Sequence, residues 1–402
     1  MKTMKIMTVK NLYWLIGAWL TLCVTHVYAQ SYLENDEARY SRYLFAYFEG
    51  QSAAGTQEHL RFAISKDAVY WRALNSNKMV ICSDTISKSH GIRDPHILRG
   101  EHGEFLIVAT DMNTYRNGWK ENPGIVLLRS EDLIHWTHSY IELKTAYPNF
   151  SDAYWVWAPQ VIYDKDVDKY MVYFTLQRTG DNRSTLITYY AYTNEDFTAF
   201  ENEPQKLFAA KYGSIDNDII KGPDGKWHLF YKGNTKDQNG KEIKNGIQQA
   251  VSDKLTGPYK EDDKYIDAYA NTSTVVEGSS TFKLLGEQKY MLIYDLYAAG
   301  RYEYQTSTDL NTWTTTPKTL VKDFYPRHGS VIPITLEEAK RMALQWPSKG
   351  IEKVLDGEST SIPAQILPVV SKNGIYDLNG CKLNGDNLPH GIYIVNGKKV
   401  IR

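Results

Sequence analysis

Cysteine is almost missing from this 402-residue chain: only Cys23, Cys82 and Cys381 occur. The last two stand 299 residues apart. That spacing does not suggest a disulfide framework, so burial alone is expected to hold the core. An excess of one charge is missing too. With 46 basic and 47 acidic residues the formal net charge is -1, which argues against a nucleic-acid groove built on clustered Lys and Arg. Beyond residue 29, no apolar run approaches the roughly 20 residues of a membrane span. There is no His-Glu-x-x-His, no phosphate-cradling Gly loop and no Gly-x-Ser-x-Gly elbow, so zinc proteolysis, nucleotide use and serine hydrolysis lack a starting residue. What the chain has in quantity is aromatic side chains, 30 Tyr and 10 Trp. These favour strands and make platforms for flat or amphipathic ligands.

Residues 1–29 read as a secretory signal peptide. Lys2, Lys5 and Lys10 precede a largely apolar stretch from Leu12 to Val27, and Val27-Tyr28-Ala29 places small residues before Gln30. An apolar stretch of 16 residues is short for a membrane anchor. The expectation is an exported protein, periplasmic, at the cell surface or extracellular.

A repeat organises the chain from residue 42 to 335. A Ser-x-Asp turn followed four residues later by Trp occurs at Ser65-Lys-Asp67 with Trp71, Ser130-Glu-Asp132 with Trp136, and Ser307-Thr-Asp309 with Trp313. Looser copies are Asn194-Glu-Asp196 with Phe200 and Ser252-Asp253 with Tyr259. Successive Asp positions are 65, 64, 57 and 56 residues apart. In the same frame, short strands lead through Gly or Asp turns to Phe105-Leu-Ile-Val-Ala, Tyr170-Met-Val-Tyr-Phe, Trp227-His-Leu-Phe-Tyr and Tyr290-Met-Leu-Ile-Tyr. Each reads as a hairpin. Five units of about 60 residues predict an all-β, five-bladed β-propeller. A two-sheet sandwich is the alternative. His328-Gly-Ser-Val-Ile-Pro-Ile begins a unit without outer strands, while Tyr43-Leu-Phe-Ala-Tyr-Phe and His59-Leu-Arg-Phe-Ala-Ile are outer strands without an inner one. Joining them in one blade would close the ring and remove its open edges. The propeller domain is placed at 30–346, with Leu336 to Trp346 as a short helix. A linker follows at 347–370, then a small β-rich tail at 371–402.

The first residues of the inner strands are read as Asp94, Trp157, Asp216, Glu277 and His328, spaced 63, 59, 61 and 51 residues apart. Inner strands of a propeller converge on its axis, so three carboxylates, an indole and an imidazole should meet at one end. Carboxylates crowded together raise the pKa of at least one of them. A protonated acid facing an ionised base is what glycosidic cleavage requires. Trp157, with Trp155 beside it, could stack on the apolar face of a sugar. Taken singly, each has a plainer reading: Asp94-Pro95 as a turn, Asp216 in competition with Asp218, Glu277 as a loop charge, His328 as a core histidine.

The series Arg93-Asp94-Pro95, Trp157-Ala158-Pro159, Ile215-Asp216, Val276-Glu277-Gly278 and Arg327-His328-Gly329 resembles glycoside hydrolase family 43 over residues 40 to 335. The resemblance implies a five-bladed propeller and inverting chemistry on a plant cell-wall polysaccharide or oligosaccharide. Asp94 would be the general base, Asp216 the carboxylate that tunes and orients the acid, and Glu277 the general acid. His328 would be the axial histidine, contacting substrate or, through water, a structural calcium ion; the chemistry itself needs no cofactor. Trp157 and Arg301 would bind substrate. An α-L-arabinofuranosidase is the favoured activity, with β-xylosidase and galactan cleavage as alternatives. Family members often carry Asp where this chain has Gln160. The tail, with Ile375-Tyr-Asp-Leu-Asn-Gly and Gly391-Ile-Tyr-Ile-Val-Asn-Gly, resembles the sorting tails of type IX secretion.

A family 32-like fructan hydrolase shares the five blades but needs an Asn-Asp-Pro block upstream, and nothing from Ser31 to Ile92 supplies one. A non-catalytic carbohydrate-binding propeller would suit the aromatic content but does not need three carboxylates in frame. Asp164-Lys-Asp166-Val-Asp168 invites a calcium-loop reading, yet Lys169 and Thr175 stand where an EF-hand needs Gly and Glu. It reads as a polar hairpin turn.

Overall fold

The computed structural model describes residues 36–50, 56–181, 186–233, 246–269, 272 and 274–355, with four short strands beyond residue 374. The expected leader and most of the expected linker lie outside the described residues.

Twenty strands form five four-stranded antiparallel sheets. β1 (Tyr40–Tyr47), β2 (Arg61–Ser65) and β3 (Trp71–Ala73) are the outer strands of blade 1. Blade 2 contains β4 (Ile92–Arg99), β5 (Phe105–Asp111), β6 (Gly124–Ser130) and β7 (Thr137–Glu142). Blade 3 contains β8 (Ala153–Asp164), β9 (Lys169–Arg178), β10 (Ile187–Tyr192) and β11 (Gln205–Phe208). Blade 4 contains β12 (Ser214–Lys221), β13 (Trp227–Gly233), β14 (Ile247–Ser252) and β15 (Lys260–Tyr265). Blade 5 contains β16 (Glu277–Lys283), β17 (Tyr290–Leu296), β18 (Arg301–Ser307) and β19 (Lys318–Thr319). β20 (Gly329–Thr335) then pairs with β1 and completes blade 1, as the unpaired sequence halves predicted. The inner strands β4, β8, β12, β16 and β20 each pack on the next around the ring.

Strand alternation builds the walls. On β5, Leu106 and Val108 face blade 3, while Ile107 and Ala109 face blade 1. On β13, Leu229 and Tyr231 face blade 3 and Phe230 faces blade 5. Five apolar cores result among the described residues, one in each wedge between neighbouring blades. The Ser-x-Asp repeat is the turn between the outer strands. Asp67 Oδ1 accepts from the N–H groups of Val69 and Tyr70, and Asp132 and Asp309 do the same two and three residues on. Each turn carries a left-handed residue, Ala68, Leu133 or Leu310. The Asp164 segment is a hairpin turn, with Asp164 paired to Lys169.

The helix Leu336–Gln345 begins in a capping box formed by Thr335 and Glu338. Residues expected to start a linker instead pack back on blade 1: Arg42 Nε donates to the carbonyl of Val354 at 2.6 Å, and Val354 and Leu355 are buried. Cys82 is disulfide-bonded, which corrects the expectation of a core held by burial alone. Its partner lies outside the described residues. The tail strands β21 (Ile375–Tyr376), β22 (Lys382–Leu383), β23 (Ile392–Val395) and β24 (Lys398–Ile401) form a small sheet of their own.

Candidate active site

Four inner strands carry a β-bulge at the same place. Asp94-Pro95, Ala158-Pro159, Asp216-Asn217 and Gly278-Ser279 each set two residues against one on the neighbouring strand. The first residue of each pair has positive φ: +50° at Asp94, +46° at Ala158, +54° at Asp216 and +66° at Gly278. Bulges of this kind re-aim side chains beside functional sites, and proline is tolerated there because one residue leaves the ladder. The sequence frame is therefore corrected by one residue in two blades. Asp94, Ala158, Asp216 and Gly278 are equivalent, and Trp157 and Glu277 share the preceding position with Arg93 and Ile215. Gly278 is required by crowding as well as by φ, since a Cβ there would lie 2.9 Å from His328 Cβ.

The expected carboxylates do meet. His328 Nδ1 lies 3.6 Å from Asp94 Oδ1 and 3.6 Å from Asp216 Oδ1. Asp94 Oδ2 accepts from Thr110 Oγ1 at 3.0 Å, and Thr110 in turn accepts from Ala158 N–H in the next blade. Asp216 Oδ2 accepts from Gly278 N–H at 3.0 Å. Glu277 is clamped by Arg327 Nη2 on Oε1 at 2.7 Å and Lys232 Nζ on Oε2 at 3.0 Å. Arg327 also holds Asp295 through Nε. The Asp94, Asp216 and Glu277 side chains remain 15, 11 and 20% exposed, so a ligand can reach them.

The charges sort accordingly. Burial would lower the pKa of His328, but Asp216 and Asp94 outweigh it and raise it to about 9. Burial would raise Asp94, but the His328 imidazolium holds it below the usual carboxylate range. Asp216 is pushed up to about 6 by burial, opposed by His328 and reinforced by Glu277 and Asp94. Burial would raise Glu277 too, yet Lys232 and Arg327 hold it below its ordinary value. Of Asp94, Asp216 and Glu277 in the free site, Asp216 is the carboxyl that takes up a proton most readily.

Sequence reasoning missed a supporting ring. Thr110, Thr175, Lys232 and Asp295 occupy one register, opposite Arg93, Trp157, Ile215 and Glu277. Each reaches toward the following blade: Thr110 to Ala158, Thr175 to the carbonyl of Ser214, Lys232 to Glu277, and Asp295 to Arg327. The signal was present, since each is the polar sixth residue after an otherwise mostly apolar or aromatic run beginning at Phe105, Tyr170, Trp227 or Tyr290.

Residues 38–340 match the family model described as "Probable glycosyl hydrolase domain", related to glycoside hydrolase family 43. The chain belongs to the family 43-related glycoside hydrolases. It is 25% identical over 360 residues to an α-L-arabinofuranosidase of Bifidobacterium longum, covering 80% of this chain and 33% of that protein. The chain thus spans about a third of that relative's length. Among solved structures, a thermostable family-43 glycoside hydrolase superposes with a TM-score of 0.47 at 12% identity, over 73% of this chain and 86% of that one. An α-L-arabinofuranosidase from Lactobacillus brevis superposes with a TM-score of 0.42 at 16% identity, over 64% and 92%.

In this glycoside hydrolase, Trp157 stacks on Trp155 with ring centroids 4.2 Å apart and donates Nε1–H to Asn122 Oδ1 at 3.0 Å. Gln160 is buried and accepts from Tyr173 OH at 2.7 Å. Arg301 is 51% exposed and pairs with Glu303 at 3.3 Å. Among described contacts, Arg327 is the arginine that reaches Glu277. A calcium ion needs a shell of oxygen ligands. Among the described residues no group of three or more His, Cys, Asp or Glu side chains is arranged to hold a metal. His328 turns Nδ1 toward the two carboxylates. Among the described residues, no helix is long and apolar enough to cross a membrane.

Proposed function

We propose that this chain is an exported, inverting glycosidase that removes terminal pentosyl residues, arabinofuranosyl first and xylosyl second, from plant polysaccharide side chains. The observation that carries the reading is the convergence of Asp94 and Asp216, from blades 2 and 4, on one imidazole at 3.6 Å, with Glu277 of blade 5 completing the ring. The arabinofuranosidase relative supports the choice of sugar. The leader pattern and the disulfide at Cys82 support export, since disulfides persist in oxidising compartments.

In the proposed mechanism Asp94, held ionised by His328, takes a proton from water as the water oxygen bonds to the anomeric carbon. On the opposite face the bond to the leaving oxygen breaks and Glu277 gives that oxygen its proton. Lys232 and Arg327 oppose protonation of Glu277 in the free site, so the arriving glycosidic oxygen must displace one of them. Arg327 has Asp295 to retreat to, and Lys232 has Tyr297 OH at 3.5 Å. Asp216 orients the pair as a positioning carboxylate. Trp157, backed by Trp155, stacks on the sugar.

The test is a screen of aryl glycosides and arabinose-bearing polysaccharides, with NMR of the anomer first released. The β-anomer from an α-L-arabinofuranoside is expected, and a product of unchanged configuration removes the inverting mechanism. A preference for β-xylosides or galactan replaces the sugar. Glycan binding without any hydrolysis makes this a carbohydrate-binding propeller instead.

A further inference from the structure

The loop between β5 and β6 carries an indole that the mechanism above does not use. Trp119 is 59% exposed, the one tryptophan among the large exposed hydrophobics of the described residues, which also include Tyr115 and Tyr325. A contiguous aromatic surface on a fixed backbone is what a contact site for an amphipathic ligand requires. Here it is fixed from three sides. Buried Glu58 accepts from Thr114 N–H at 2.9 Å, Thr114 Oγ1 at 2.6 Å and Tyr115 N–H at 3.2 Å. Asn113 caps the short helix Thr114–Asn117 by accepting from Arg116 N–H. The loop's far end is tied to β8, because Trp155 Nε1–H donates to the carbonyl of Lys120 and Trp157 Nε1–H to Asn122 Oδ1.

The indole itself is backed. Arg93, next to Asp94, lies over its ring at 5.2 Å and is pinned by Glu58 at 2.9 Å. Trp157 meets it edge to face at 6.2 Å and 74°. Trp155, Trp157 and Trp119 thus form a continuous strip with Trp157 at its centre, tied at the Trp119 end to Arg93 beside Asp94. A single sugar ring stacked on Trp157 would leave the exposed face of Trp119 uncovered.

We propose that Trp119 is the platform of a second sugar position, binding a neutral ring of the glycan other than the one removed, and that it selects oligosaccharides over small glycosides. The proposal rests on the glycosidase reading for the identity of its ligand. One face of the indole is backed by Arg93, and the open face offers the apolar surface on which the C–H groups of a sugar pack.

The experiment compares wild type, Trp119→Ala and Trp119→Phe on arabinan-derived oligosaccharides and on methyl α-L-arabinofuranoside, whose leaving group is too small to reach the indole. Trp119→Ala is expected to lower the oligosaccharide-to-methyl-glycoside ratio of kcat/KM about tenfold, mainly through KM, and Trp119→Phe to restore most of it. An unchanged ratio overturns the proposal, as does an equal fall on both substrates, which would make Trp119 merely a support for Arg93 and Trp157. Calorimetric titration of the same oligosaccharides separates this from failure of the glycosidase reading. If wild type hydrolyses nothing but binds them, and Trp119→Ala loses that binding, the platform stands and the glycosidase reading falls. Equal binding by both proteins, or none by wild type, removes the platform.

Discussion

Asp94 and Asp216 share one cation, whereas Glu277 is contacted by two. On the first side His328 sits 3.6 Å from both carboxylates, enclosed and close to neither, so that Asp94 stays ionised while Asp216 is left at about 6. On the second side Lys232 and Arg327 contact separate oxygens of Glu277 at 3.0 and 2.7 Å. The difference teaches that the ring is not a set of equivalent acids. In the proposed mechanism, one side keeps a base ready before substrate arrives. The other holds its carboxylate in a form that only substrate binding can change.

The hardest break of this comparison is at its two named ends. Asp94→Asn and Glu277→Gln should each lower kcat by about 10²–10⁴-fold while circular dichroism shows a native fold. Glu277→Gln should lose more on substrates with poor leaving groups than on activated aryl glycosides, because only the former need the proton. Equal losses across leaving groups would remove Glu277 as the acid.

Next in size is the Arg327 bridge. Arg327→Met leaves buried Asp295 and partly buried Glu277 without their shared cation, and breaking such a pair costs about 3 kcal/mol. Urea denaturation at pH 7 should show that loss, and adding Asp295→Asn should recover part of it. Without recovery, the stabilising partner of Arg327 is not Asp295.

These side chains also mark where the sequence was legible. The Ser-x-Asp turns and aromatic hairpins are local, made within four or five residues, and so they declared five units and the join between β20 and β1. Asp94, Asp216, Glu277 and His328 were found because a closed ring converts one-blade spacing into contact. The bulge was not legible: a residue at positive φ looks like any other in sequence, and Trp157 and Glu277 were therefore aligned one position off. Lys232 and Asp295 act across blade boundaries, so nothing near them in sequence announces the partner, although their shared place at the end of each second strand did. Arg301, named on resemblance, is exposed and pairs with Glu303, while Arg327, two residues before Gly329, contacts Glu277.

A smaller effect sharpens the second side. Lys232→Met removes one cation from Glu277, whose pKa then rises. The alkaline limb of kcat/KM, where the acid loses its proton, should move up by about one pH unit, with Lys232→Arg near wild type. A purely structural lysine would lower activity without moving that limb.

The smallest effect lies on the first side and has the opposite sign. The folded state raises Asp216 from an ordinary 3.8 to about 6, so ionising it costs stability. Below pH 4 the carboxyl is protonated in folded and unfolded chains alike and the cost is absent. It accumulates between pH 4 and 6 and is complete above. Asp216→Asn keeps an oxygen to accept from Gly278 N–H but carries no charge. It should therefore stabilise the protein at pH 7 by on the order of 1 kcal/mol, roughly 2 °C of Tm, and leave Tm at pH 4 unchanged. Activity should fall in the same variant, since a strained carboxylate retained at a site commonly trades stability for function. A Tm that drops at pH 7 would mean that attraction to His328 outweighs burial, and the two sides of the ring would then be less different than their geometry implies.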